Sequence, residues 1–160
     1  MSAAMAWDSA SAAEIVAAHR ERPGALLPIL HALQERFGYV DRAAVPVIAE
    51  ALGLSRAEVH GVMSFYHDFR KAPVDGDVLA LCRAEACQAM GCEDLVAHLG
   101  AAHGVRPDAA APGARLRVES VYCLGNCALA PAALLNGAPV GRLDRGRLDA
   151  VLRDGADCAA

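Results

Sequence analysis

The sequence predicts an α/β fold built in two parts. Up to about Lys71 the apolar residues recur at helical spacing and no cysteine occurs. Beyond Val74 short apolar or alternating runs flank a helix-length segment, the order of a strand–helix–strand unit. An Asn136-Gly137 pair between two further short runs is the strongest hairpin signal in the chain. The expected boundaries are 1–73 for a helical region and 74–160 for the α/β part.

Four amphipathic helices are expected in the first part. Ser11-Ala-Ala-Glu14 has the form of a capping box and predicts a helix running to about Arg20, before Pro23-Gly24. Leu26, Leu27, Leu30, Leu33 and Phe37 predict a second helix, with Pro28 in its first turn and Gly38 as its stop. Asp41 is the expected cap of a third helix carrying Val45, Ile48 and Leu52, in which Pro46 stands late for a first turn. Ser55-Arg-Ala-Glu58 is a second capping box, ahead of Val59, Val62, Met63 and Tyr66. None of these helices carries a pair of ligand-type residues on one face, so this region is expected to provide core, cover and docking.

In the second part, Asp77-Val-Leu-Ala-Leu81 reads as a buried strand ending at Cys82. Gly91 to Gly104 reads as a helix with Leu95, Val96 and Leu99 inward, and Arg115 to Val121 as an alternating strand. These two strands should be parallel neighbours joined by a right-handed crossover. Ala132–Leu135 and Ala138–Val140 form the hairpin, with Pro139 demanding an edge or a strand start. Asp144 caps a last helix with Leu148, Val151 and Leu152.

Composition narrows the function. At 160 residues the chain can bury a real core. Apolar residues make up 55% and charged ones 21%, which excludes disorder as the default. A net charge of −4 and 4% aromatics argue against binding nucleic acid. No apolar run approaches the roughly 18 residues of a membrane helix. Met1 to Ala13 lacks the apolar stretch of a secretory signal. The six cysteines are therefore expected in a reducing cytoplasm, where metal or redox chemistry is the first reading.

Four of them form two pairs, Cys82-x4-Cys87 and Cys123-x3-Cys127, each beginning where a predicted strand ends. Parallel neighbouring strands would send both loops off the same sheet edge and bring four thiols to one point. A [2Fe–2S] cluster needs four thiolates so arranged. Structural zinc usually takes tighter two-residue knuckles, and a dithiol redox site would show Cys-x-x-Cys; zinc and unligated thiols remain the alternatives at the cysteines, and a zinc-binding interaction module or a thioredoxin-type thiol oxidoreductase the alternative functions. Cys92 repeats the four-residue gap after Cys87 and is a rival partner, but its place in the first turn of a packed helix reads as core. Cys158 reads as a free thiol in the tail. Arg83, beside Cys82, either offsets charge at the thiols or is a solvated arginine. The six histidines read as surface or core residues; His98 and His103 flank one helix end with no carboxylate at ligand spacing. No G-x-G-x-x-G or Walker A run occurs, so no nucleotide fingerprint is read.

These cysteine pairs, in a strand–helix–strand–hairpin–helix frame behind a helical region, resemble the thioredoxin-like [2Fe–2S] ferredoxin family. That family includes the small NADH-module subunit of respiratory complex I and its relatives in NAD-linked hydrogenases and formate dehydrogenases. Phe37-Gly-Tyr-Val40, Val62-Met-Ser-Phe-Tyr66, and Tyr122-Cys-Leu-Gly-Asn-Cys127 with Ala130-Pro131 look like its signatures. The loop Cys82-Arg-Ala-Glu-Ala-Cys87-Gln-Ala-Met-Gly91 looks most like the gamma subunit of NAD-dependent, molybdenum-containing formate dehydrogenases. The resemblance implies a thioredoxin-like [2Fe–2S] domain preceded by a small helical bundle. It implies one [2Fe–2S] cluster on Cys82, Cys87, Cys123 and Cys127. It also implies an electron-transfer role without catalysis by this chain alone, FMN and NAD in a partner subunit, and a molybdenum/iron–sulfur catalytic subunit beyond that.

Overall fold

The computed structural model describes residues 6–74, 76–109 and 115–157. The chain divides into two compact units, Met1–Val74 and Asp75–Ala160. Among the described residues no helix is long and apolar enough to cross a membrane.

The first unit holds four helices, α1 (Ser9–His19), α2 (Leu26–Phe37), α3 (Ala44–Leu52) and α4 (Arg56–Phe65). Its core is the set of positions that helical spacing selects: Ile29, Leu30, Leu33 and Phe37 from α2, Ile48 from α3 and Val59 from α4 are fully buried. Trp7 lies against Phe37 with ring centroids 5.0 Å apart. The Ser55 box forms as expected: Glu58 N–H donates to Ser55 Oγ at 3.2 Å and Ser55 N–H to Glu58 Oε2 at 2.8 Å. The first helix differs from expectation. It starts at Ser9, capped by the Asp8 carboxylate, which accepts from Ser11 N–H at 2.8 Å. An ionised carboxylate placed at the positive end of the helix outcompetes the hydroxyl three residues on. Asp41 binds Ala43 N–H at 2.8 Å rather than capping α3 directly, and the helix begins at Ala44. Pro46 then falls within the first turn, where its missing N–H has no intrahelical partner. Gln34 ties the segment after α4 back to α2, donating to Asp68 O at 2.8 Å and accepting from Arg70 N–H at 2.7 Å.

The second unit runs β1 (Asp77–Cys82), α5 (Glu85–Ala89), α6 (Cys92–His103), β2 (Leu116–Val121), a 3-10 turn (Cys127–Leu129), β3 (Ala133–Leu135), β4 (Ala138–Val140) and α7 (Arg145–Asp157). The sheet order is β2-β1-β3-β4, with β1 parallel to β2 and antiparallel to β3. Leu79 and Leu81 of β1, Val118 of β2, Leu95 and Leu99 of α6 and Leu148 of α7 share one core. The alternate residues Val78 and Ala80 are only partly buried, so β1 is two-faced rather than the fully buried strand its apolar run predicts. The edge strand β2 is protected by Asp108, whose carboxylate accepts from Ser120 N–H at 2.8 Å. The cap of α7 is as expected, with Asp144 accepting from Arg147 N–H at 2.7 Å.

The hairpin is also as expected. Asn136 (φ 50°) and Gly137 (φ 83°) are both left-handed, the requirement of a type I′ turn, and Pro139 sits on the edge strand β4. Asn136 does more than turn. Its Oδ1 accepts from Val78 N–H at 2.9 Å and its Nδ2 donates to Asp77 Oδ1 at 2.7 Å, pinning the hairpin to the start of β1. Asn136→Gly keeps the turn and removes both side-chain bonds; it should cost about 1–2 kcal/mol in denaturant unfolding. Asn136→Ala adds a left-handed φ without a favourable side chain and should cost roughly 1 kcal/mol more.

Candidate metal centre

The site grows from strand register. Asp77 pairs with Leu116 and Cys82 with Val121, so β1 and the parallel β2 end level with one another. The segment from Cys82 to Cys87 and the loop from Tyr122 to Cys127 therefore leave the same sheet edge. Arg83 N–H donates to Val121 O at 2.8 Å and Cys82 N–H to Ala132 O at 3.0 Å, which fixes the exit of β1 between the other two segments. Cys87 does not lie on an open loop as expected. It sits on the short helix α5, which has no side-chain cap and only five residues, too few for periodicity to reveal.

Cys82 and Cys87 are buried, with Cys92, Ala132 and the flanking Val121, Leu124 and Ala130 around them. The two thiols act on one another's ionisation. Cys123 and Cys127 are exposed, with their sulfurs 3.8 Å apart. Cys123 reaches this position with φ 77°, a left-handed conformation costing of order 1–3 kcal/mol for a residue with a side chain. Gly125 at φ 75° turns the loop again. The two pairs stand beside one another at this edge, the buried pair with Cys82 facing the N–H groups of Cys123 and Leu124, and the other pair at the surface.

Charge makes the place selective. Burial pushes the Cys82 thiol up, but the backbone N–H groups of Ala84, Cys123 and Leu124, together with the Cys87 thiol, outweigh it and hold Cys82 below the usual thiol range. Cys87 is pushed up by burial and by the charges of Cys82 and Cys127, against one N–H from Ala132. Cys127 is raised by its neighbour Cys123 and then by Cys82. A thiolate is prepared at Cys82, while ionisation of Cys87 and Cys127 is opposed by their neighbours. A multiply charged cation removes that opposition. Four soft sulfur donors from two segments of one edge fit a [2Fe–2S] cluster.

Two groups of residues in this unit depart from expectation. Arg83 is neither turned to the thiols nor solvated: Nε and Nη2 each lie 3.0 Å from the Glu93 carboxylate, and Nη1 is 3.4 Å from Ser120 Oγ. No carboxylate stands at ligand spacing from His98 and His103 in the sequence, but Asp149 of α7, far along the chain, meets both rings. Nothing in the local sequence of α6 signals a partner that only tertiary packing supplies. Cys92 is fully buried, as expected of core, with its sulfur 3.8 Å from Glu93 Oε1. Cys158 lies outside the described residues.

An α/β domain whose sheet edge gathers four thiols, following a helical unit in the chain, has the donor set that suits a cysteine-ligated metal centre. The chain belongs to the thioredoxin-like [2Fe–2S] ferredoxin family, whose sequence profile matches residues 12–156. It is 32% identical over 136 residues, 85% of this chain and 81% of the relative, to a component of the NADH-quinone oxidoreductase of Rhizobium meliloti. It is 26% identical over 134 residues, 84% and 78% of the two chains, to the NADP-reducing hydrogenase subunit HndA of Solidesulfovibrio fructosivorans. A crystal structure of an air-oxidized NAD+-reducing [NiFe]-hydrogenase superposes with a TM-score of 0.71 at 32% identity, over 88% of this chain and 24% of that one. This chain thus spans about a quarter of the hydrogenase chain it matches.

The loop bearing Cys127 is held by a close backbone approach. A Cβ on Gly141 would stand 2.6 Å from Leu129 Cβ and 2.9 Å from Leu129 O. Gly141→Ala must displace the 3-10 turn and should cost about 1–3 kcal/mol, read by chemical denaturation, with a lower iron content per chain after reconstitution.

Proposed function

We propose that this chain is a non-catalytic electron-transfer subunit that holds one [2Fe–2S] cluster on Cys82, Cys87, Cys123 and Cys127, beside a flavin- and NAD-binding partner. The observation that carries this reading is the convergence of those four cysteines at the level ends of β1 and β2. A bound [2Fe–2S] cluster supplies a one-electron redox step. The protein's own residues do the rest. Cys82 and Cys87 anchor the site from the buried side, and the N–H groups of Ala84, Cys123 and Leu124 face the Cys82 sulfur, where such bonds tune potential. Cys123 and Cys127 form the solvent side, flanked by exposed Tyr122 and Leu129. Electron exchange with a partner takes place across that side. FMN and NAD belong to the partner subunit, which converts a two-electron donor into single steps.

Within this class, the residues between Cys82 and Gly91 favour the gamma subunit of an NAD-linked, molybdenum-containing formate dehydrogenase. The equivalent subunit of complex I or of an NAD-linked hydrogenase is the second reading, favoured by the names of the relatives. Purification of the native complex separates them. Copurifying molybdenum with formate-dependent NAD reduction is expected. A nickel-containing partner with hydrogen-dependent reduction, or quinone-linked NADH oxidation without molybdenum, establishes the second reading. Free of partners, the chain should oxidise neither formate nor NADH.

The ligand set is tested residue by residue. Replacing Cys82, Cys87, Cys123 or Cys127 by Ser should lose most of the iron and the spin-half signal seen after dithionite, since hydroxyl oxygen is a poor donor to this metal. Cys92→Ser should retain both. Bleaching by Cys92→Ser with a coloured Cys82→Ser would give the ligand role to Cys92.

A further inference from the structure

We propose that His98, His103 and Asp149 form a second metal site, one that takes a divalent transition-metal ion of the zinc type and ties α6 to α7. The three side chains come from two helices that pack on the same core. His98 Nε2 lies 2.8 Å and His103 Nε2 2.7 Å from one and the same oxygen, Asp149 Oδ1. The rings stand nearly perpendicular at 80°, with centroids 5.9 Å apart. All three ligand atoms fall within 4.8 Å of one another.

This donor set suits the borderline cations. Two imidazoles and one carboxylate, with remaining positions open to water, bind zinc, cobalt, nickel or ferrous iron in preference to magnesium or calcium. The site is distinct from the cysteines. Cys92 begins α6 and His103 ends it, which places the histidine end about 16 Å along the helix from the cysteine end. No sulfur belongs to it.

The geometry is close to what a metal requires. Tetrahedral zinc with bonds of roughly 2.0–2.1 Å holds neighbouring ligand atoms about 3.3 Å apart. The two nitrogen–oxygen distances are about half an ångström shorter than that edge, as hydrogen bonds should be. A metal therefore enters by a small retreat of the carboxylate and a change of tautomer in each ring, the Nε2 proton passing to solvent and Nδ1 carrying the proton of the neutral ring. The existing contacts already hold the three side chains together, so binding orders little that was free. The imidazoles keep the Asp149 carboxyl below its usual range, His103 more than His98, so an anionic ligand is present at neutral pH. Side-chain exposures of 18%, 29% and 28% leave an entry path from solvent.

The consequence is a cross-link. α7 follows the short edge strand β4 and joins the core through Leu148. A metal shared by Asp149 and the two α6 histidines adds a bond between the helices that hydrogen bonds alone make in weaker form, and a ligand bound only to the folded state raises its stability.

The test uses the full chain with its cysteines loaded with iron, titrated with Zn2+ at neutral pH by calorimetry, with bound zinc examined by X-ray absorption at the zinc edge. One zinc per chain, a first shell of nitrogen and oxygen only, and a melting temperature that rises with zinc are expected. His103→Gln and Asp149→Asn should each weaken zinc binding about tenfold or more, the least effect expected when a ligand rather than its neighbour is removed. Iron content and the spin-half signal should stay unchanged. Absence of saturable binding, sulfur in the zinc shell, or full affinity in both variants would overturn the proposal. If Asp149→Asn loosens α7, seen as lost helicity, His103→Gln at the helix end decides alone. The zinc edge reports ligand type, so the outcome is independent of what the cysteines hold.

Discussion

The level parallel pairing of β1 with β2 is the constraint on which the site depends. A strand ending one residue early on either side would turn its following side chain to the other face of the sheet. With Cys82 opposite Val121, the chain leaves both strands at the same height, and Cys123 follows only two residues after the paired position. β3 closes the third side: Ala132, just before it, accepts from Cys82 N–H and donates toward the Cys87 sulfur. Three backbone segments therefore define the position of four sulfurs. The left-handed conformation of Cys123 persists because these neighbours over-determine the loop. Gly141, in backbone contact with Leu129, holds the loop's far end.

Much of this was legible because it is local. The helical stripes of α2 and α4, the Ser55–Glu58 box, the Asn136-Gly137 turn and the Asp144 cap each depend on residues within a few positions of one another. The placement of cysteine pairs at strand ends was legible for the same reason. What escaped the sequence falls into three kinds. Where a stronger cap stands just upstream of the one the pattern selects, as Asp8 does before Ser11, the carboxylate wins by charge. Where partners are far apart in the chain, no local rule applies. Asp149 lies 51 residues from His98, and only the shared packing of α6 and α7 brings it to the rings. Arg83 likewise finds Glu93 because α6 begins beside the end of β1. Helix α5 left no trace because one turn is shorter than a period can establish.

The burial of the four cysteines is uneven, and that unevenness decides what the site can do. A buried thiolate is costly unless donors or a cation meet it. Cys82 is met by three backbone N–H groups, while Cys87 has one and lies near the charges of Cys82 and Cys127. Without a cation, this arrangement favours ionisation of Cys82 over that of Cys87 and Cys127. With one, all four can ionise, so metal uptake and thiol deprotonation are coupled. The buried half then resists exchange with solvent thiols, since reaching it requires displacing Ala132, Leu124 and Val121.

The exposed half has the opposite property. Cys123 and Cys127 carry little protein over them, and Tyr122 beside Cys123 is 72% exposed. A large aromatic ring left in water at the rim of a charged centre forgoes burial worth roughly 1.5–3 kcal/mol for an apolar side chain of comparable size. That cost is recovered when a partner surface covers it. A centre built this way is closed on the side of its own core and open on one side only. This geometry suits electron exchange, which needs only close approach across a face that a second protein can complete.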